Sequence, residues 1–129
     1  MDNARMLYAL QLDCGNVAAT GAGTEVDLQK NFVSPGKREM KCVYGAVEAG
    51  AASDSGTFTY KLQESATTVD SDFSDISGAA FTAQGDSDTA AIQTIHFFTN
   101  KRFIRGYRTL GATSAYDAVV TLFALKRDM

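Results

Sequence analysis

Asn100-Lys-Arg-Phe-Ile-Arg-Gly-Tyr-Arg-Thr-Leu110, then Gly111-Ala-Thr-Ser-Ala115, then Tyr116-Asp-Ala-Val-Val-Thr-Leu-Phe-Ala-Leu-Lys126, is the stretch whose reading decides the fold. From Ala118 to Leu125 both strand faces are apolar: Val119, Phe123 and Leu125 alternate with Val120, Leu122 and Ala124, and only Thr121 is polar. Such a strand needs cover on both sides and belongs in the middle of a folded body. The first arm is mixed, with Phe103 and Tyr107 in line with Arg105, and Ile104 and Leu110 in line with Arg102 and Arg108. Together the two arms read as a hairpin, one arm making core and the other making core and a basic surface.

Outward from this stretch the chain shows further short alternations. Met6 to Leu12 reads as a first strand, and Gly15 to Thr24 as a Gly/Ala/Thr-rich loop. Val26 and Leu28 share a face in a short alternation over Glu25 to Gln29, and Pro35-Gly36 marks a tight turn. Arg38 to Val47 alternates as a strand of ordinary length. After the small-residue loop Glu48 to Ser55, Thr57 to Glu64 alternates most cleanly, with Phe58, Tyr60 and Leu62 inward and Thr57, Thr59, Lys61 and Gln63 outward. Ser65 to Gly78 is acidic and hydroxyl-rich, and reads as a loop or single helical turn pinned by Phe73 and Ile76. A short strand at Phe81 to Ala83, a turn at Gly85 and a strand from Ala91 to Thr99 complete the chain. Apolar spacing of three and four persists nowhere for three turns. The fold class is therefore all-β, an antiparallel β-sandwich or jelly roll of about eight short strands with long polar loops. The predicted core contains Phe58, Tyr60, Leu62, Phe103, Val119, Leu122 and Phe123.

Composition limits what this fold can do. The chain has 129 residues, 45% of them hydrophobic, which suits a single domain over residues 1–129 with a real core. Its net charge of -3 argues against nucleic acid as the main partner, because phosphate binding usually needs a basic excess, and base stacking on the aromatics beside the arginines of 101–108 is a minor option. No apolar run reaches the roughly 20 residues of a membrane span, and Met1 to Gln11 lacks the apolar region and cleavage site of a signal peptide. These features point to a protein made in the cytoplasm, in which Cys14 and Cys42 stay as free thiols.

Catalytic patterns are missing. His96 is the only histidine and lies beside Phe97 and Phe98, where a structural role is favoured over a catalytic base. One His and two distant Cys match no zinc spacing. The Asp70, Asp72 and Asp75 cluster lacks the glycine and closing glutamate of a calcium loop, and Gly21-Ala22-Gly23 lacks the rest of a nucleotide-binding turn. The sequence thus predicts no catalytic residue, no metal, no cofactor and no enzyme activity.

Charge distribution says more. Glu64, Asp70, Asp72, Asp75, Asp86 and Asp88 follow one another with no intervening base, while Lys101, Arg102, Arg105 and Arg108 follow with no acid. The two blocks are either solvated faces that balance within the molecule or surfaces that meet a partner or a second copy, for which arginines interleaved with Phe103 and Tyr107 are suited. The candidate partner-interface residues are Lys101, Arg102, Arg105, Arg108, Asp70, Asp72 and Asp75. By strand phase, Arg105 shares the face of Phe103 and Tyr107 and is expected to pair with Glu64, Asp70, Asp72 or Asp75, leaving Arg102 and Arg108 to face a partner.

Four elements in order, Phe58-Thr-Tyr-Lys-Leu-Gln-Glu-Ser65, Asp72-Phe-Ser-Asp-Ile76, Asn100-Lys-Arg-Phe-Ile-Arg105 and Gly111-Ala-Thr-Ser-Ala115, resemble the small capsid cement, or decoration, proteins of tailed bacteriophages. The resemblance covers roughly the C-terminal 70 residues. It departs at Ser114-Ala115, where those proteins often have Ser-Pro, and at the added Lys126-Arg-Asp-Met129. It implies a jelly-roll subunit that sits as a dimer or trimer on the outer surface of a virion assembled in the host cytoplasm, binding the major capsid protein and stabilising the capsid, with no nucleic acid and no membrane as partner. The alternative is a phage binding module for a receptor or glycan, which exposed aromatics in the Gly15 to Thr24 or Glu48 to Ser55 loops would favour; those loops have none.

Overall fold

A computed structural model describes residues 6–17, 19–31, 38–47, 57–85, 91–111 and 116–126. In chain order the elements are β1 (Met6–Val17), β2 (Gly21–Ala22), β3 (Val26–Asp27), the helical turn α1 (Leu28–Asn31), β4 (Arg38–Val47), β5 (Thr57–Ser65), a 3-10 turn at Asp70–Asp72, β6 (Ser74–Ala80), β7 (Gln84–Gly85), β8 (Ala91–Thr99), β9 (Phe103–Gly111) and β10 (Tyr116–Lys126).

Pairing is nested around the segment between β5 and β6. β5 pairs with β6 and β7, β4 with β8, β2 and β3 with β9, and β1 with β10, all antiparallel. The nested ribbon rolls up because β10 also pairs with β4 and β9 with β5. One sheet has the order β1-β10-β4-β8; the other runs β2-β9-β5-β6, with β3 beside β9 and β7 beside β5. Two Greek-key sheets produced in this way are a jelly roll, so the expected all-β sandwich is the observed fold.

Between the sheets lies one apolar core. Met40, Cys42, Phe97, Val120 and Leu122 come from the first sheet, and Phe58, Tyr60, Leu62, Ile76, Ala79 and Ile104 from the second, with Leu28 and Phe81 closing it. Alternation explains the assignment, since even-numbered positions of β4, β5 and β10 point inward. Gly106 lies beside Leu62 in register, and the Tyr60 side chain crosses it so closely that a Cβ at this position would overlap the phenol.

Several expectations change. Asn100 to Lys126 is not a hairpin: β9 and β10 belong to opposite sheets, because each finds a better partner in the nested ribbon. β10 is interior within its sheet, flanked by β1 and β4, but only one of its faces meets the core. Val119 is therefore 46% exposed, and Phe123 is only half-buried. Gly15 to Val17 continues β1, held by pairing with Tyr116 to Ala118 despite weak strand propensity. Ser74 to Gly78 belongs to β6, not to a loop. Its strand was hidden by a bulge, since β5 advances from Lys61 to Gln63 while β6 runs from Ala80 back to Asp75, and Gly78 takes the positive φ that the bulge requires. Phe81 to Ala83 is not a strand, and Gln84–Gly85 forms the short strand instead. Gln63, expected outside, is buried. Pro35-Gly36, Glu48 to Ser55 and Ala112 to Ala115 lie outside the described residues.

Candidate interaction surface around Arg105

The register of β5 on β9 sets Lys61 beside Tyr107, Gln63 beside Arg105 and Ser65 beside Phe103, all on the outer face of the second sheet. A surface arginine here would be solvated, but the segment from Ala66 to Phe73 folds over it. Arg105 keeps 8% exposure. Its Nε donates to Gln63 Oε1 at 2.9 Å, a guanidinium nitrogen donates to Asp70 Oδ1, and the guanidinium lies 4.0 Å from the Phe73 ring centroid. Planar stacking and a directional fork suit arginine and not lysine.

Gln63 is the hinge of this cluster. Its Nε2 donates to Asp75 Oδ1 at 2.9 Å while its Oε1 accepts from Arg105. Lys61 Nζ donates to Asp75 Oδ2 at 2.6 Å and lies 5.3 Å from the Tyr107 ring centroid. These hydrogen bonds, from Lys61 first and Gln63 second, hold the Asp75 carboxyl below its ordinary 3.8. The covering segment is also tied to itself: Thr67 N donates to Ser65 Oγ, Thr67 Oγ1 donates to Asp72 Oδ2, and Val69 N donates to Thr67 Oγ1. Asp70 nonetheless presents an 86% exposed side chain. The outcome is an ordered acidic surface carried on a buried arginine.

The remaining basic residues bind other segments to β9. Arg102 forms a bidentate pair with Asp27, Nε to Oδ1 at 3.1 Å and a terminal nitrogen to Oδ2 at 2.9 Å, and this hydrogen bonding raises its pKa. Asp27 Oδ1 also accepts from Gln29 N, and Leu28 N donates to the Arg102 carbonyl. Arg108 Nε donates to the Ala19 carbonyl, and Leu110 N donates to Thr20 Oγ1. Arg102 and Arg108 thus lace residues 19–29 onto β9, where the sequence had assigned them to a partner. Lys101 is exposed beside Thr99, whose hydroxyl donates to Glu64 across the two sheets.

Of the predicted interface residues, the structure brings Arg105, Asp70 and Asp75 into one cluster, with Asp72 in the segment that covers it. Phe73, expected to pin this segment, does so against the Arg105 guanidinium; Gln63 and Asp27 were missed, and only the outward phase shared by Lys61 and Gln63 hinted at the first of these. Cys42 is buried in the core, and burial pushes its thiol up to about 12, which makes it inert. His96 is exposed on the opposite sheet. Among the described residues no three His, Cys, Asp or Glu side chains gather as a metal site, and no helix is long and apolar enough to cross a membrane. No protein-family model matches the sequence, and no curated protein matches it significantly.

Proposed function

We propose that this protein is a structural, non-enzymatic cement subunit, which binds the outside of an icosahedral phage head as a small oligomer and stabilises contacts between major capsid proteins. The observation that carries the reading is the convergence of the sequence elements that resemble cement proteins. Gln63 from the first, Asp75 from the second and Arg105 from the third meet in one hydrogen-bonded cluster, Phe73 of the second lies against the Arg105 guanidinium, and Ser65 of the first accepts from Thr67 N in the covering segment. Elements scattered over the chain therefore have a shared physical purpose, which is to hold an acidic segment in a fixed shape. A segment ordered before binding loses less entropy when it docks, and several modest contacts made by one oligomer reinforce each other.

The test is to purify virions of a phage encoding this chain on a density gradient and quantify the chain against the major capsid protein. A fixed stoichiometry, with density for a jelly roll on the outer shell in electron microscopy, is the expected result. Recovery only in the soluble lysate overturns the reading, and recovery at the tail identifies a receptor- or glycan-binding module instead.

A further inference from the structure

Arg105 uses only part of its hydrogen-bonding capacity. A guanidinium donates from Nε, Nη1 and Nη2; here Nε donates to Gln63 and Nη1 to Asp70, and among the described residues no acceptor meets Nη2. The side chain is only 9% exposed, so a nitrogen left without an acceptor is costly and calls for one from outside the chain. The bond from Nη1 to Asp70, whose own side chain is largely exposed, sets that end of the guanidinium at the surface. Asp70 is half used as well: Oδ1 accepts from Arg105, and no donor among the described residues meets Oδ2. The pair therefore presents an open donor and an open acceptor together.

We infer that this pair binds the side-chain amide of an asparagine or glutamine on the protein partner. Charge argues against ionic ligands. An anion on Nη2 would lie beside the Asp70 carboxylate and a cation on Oδ2 beside the guanidinium, so each would meet a like charge. The amide of Asn or Gln is uncharged and carries an acceptor and a donor on one planar group, its C=O suited to Nη2 and its N–H to Oδ2. Val69, next to Asp70 in the chain and 55% exposed, adds the apolar contact that a protein segment makes. Recognition is then by directed hydrogen bonds and not by net charge. The inference rests on the cement reading for the partner, the major capsid protein, and adds the chemistry by which the Arg105 cluster takes hold of it.

The test is binding of the full chain to purified phage heads assembled without it, measured by co-sedimentation over a range of salt concentrations. Asp70→Asn can still accept from Arg105 but turns the open acceptor into a donor, which then faces the N–H of the partner amide. It should weaken binding by about 10- to 100-fold, the worth of a hydrogen bond to a charged group, with an unchanged circular dichroism spectrum. The salt dependence should stay close to that of wild type, because no ion pair crosses the interface. Val69→Ser should weaken binding by about fivefold and supplies the same test should Asp70→Asn misfold. Folded variants that bind as tightly as wild type would overturn the inference and leave the cement reading standing. A loss in Asp70→Asn together with a shallower salt dependence would show that a basic group of the partner pairs with the carboxylate, which also overturns it. Heads that take up no wild-type chain would overturn the cement reading and the inference together.

Discussion

Replacing Arg105 with alanine separates the energetics of the buried cluster from its charge. The variant leaves the Gln63 Oε1 acceptor buried without its donor, which costs about 1–2 kcal/mol. Loss of the guanidinium stack on Phe73 and of the buried aliphatic stem adds about 1–2 kcal/mol. The ion pair adds little, under about 1 kcal/mol, because the Asp70 side chain is 86% exposed and is rehydrated when released. A total near 3 kcal/mol follows, with Asp70→Asn costing under about 1 kcal/mol on the same grounds. Arg105→Lys keeps the charge but loses the fork and stack, and should recover less than half of the loss. The assay is reversible urea unfolding followed by circular dichroism and tyrosine fluorescence, since the chain has no tryptophan. Equal losses for Asp70→Asn and Arg105→Ala would show that the charge pair dominates, and a loss under about 1 kcal/mol for Arg105→Ala would show that the cluster is ornamental.

Leu122→Ala, at a fully buried position, should cost about 3–5 kcal/mol, whereas Phe123→Ala on the half-exposed face should cost about half as much in the monomer; equal losses in urea unfolding would contradict the assigned strand phase. Gly106→Ala must displace the Tyr60 ring and should destabilise by about 2 kcal/mol or more, and a neutral result in the same assay would show that Tyr60 moves freely. The depressed Asp75 carboxyl adds stability above the pKa it has in the unfolded chain and loses it as pH falls through its lower native value, so the gap between wild type and Asp75→Asn should close in acid; a gap constant down to strong acid refutes this. Cys42 should resist alkylation in native protein at pH 8 and react on denaturation, as read by peptide mass spectrometry; fast native labelling would contradict its burial.

Strand phase was legible wherever a strand keeps strict alternation. β4, β5 and β8 match the expected stretches Arg38 to Val47, Thr57 to Glu64 and Ala91 to Thr99, because one side of each meets the core and the other does not. β6 was illegible, since its bulge at Gly78 breaks the period and its inward residues are Ile76 and Ala79, three apart. The pairing of β9 and β10 was misread because adjacency in sequence suggests a hairpin, and nothing in local composition says that consecutive strands change sheets. The apolar outer side of β10 was taken for core for the same reason: the sequence records that a residue is apolar, not which surface covers it. At the site, phase alone required one arginine on the Phe103 face and an acidic acceptor for it, and Arg105 with Asp70 meets that requirement. The contribution of Gln63 came from a loop folding over the sheet, which no periodicity encodes.

The nested order of the strands also governs how the chain can fold. Closing β5 onto β6 bridges only the short segment between them, and this brings β4 near β8 and then β3 near β9, so each pairing shortens the loop that the next must close. β10 is the last of these strands to leave the ribosome, yet it stands between β1 and β4. Until it is synthesised, the four-stranded sheet is split, and β1 waits with its hydrogen-bonding edge open. Completion of that sheet must then wait for β10, is slowed by its non-local pairings, and stays open during the wait to capture by the β10 of a neighbouring chain, which would yield strand-exchanged copies.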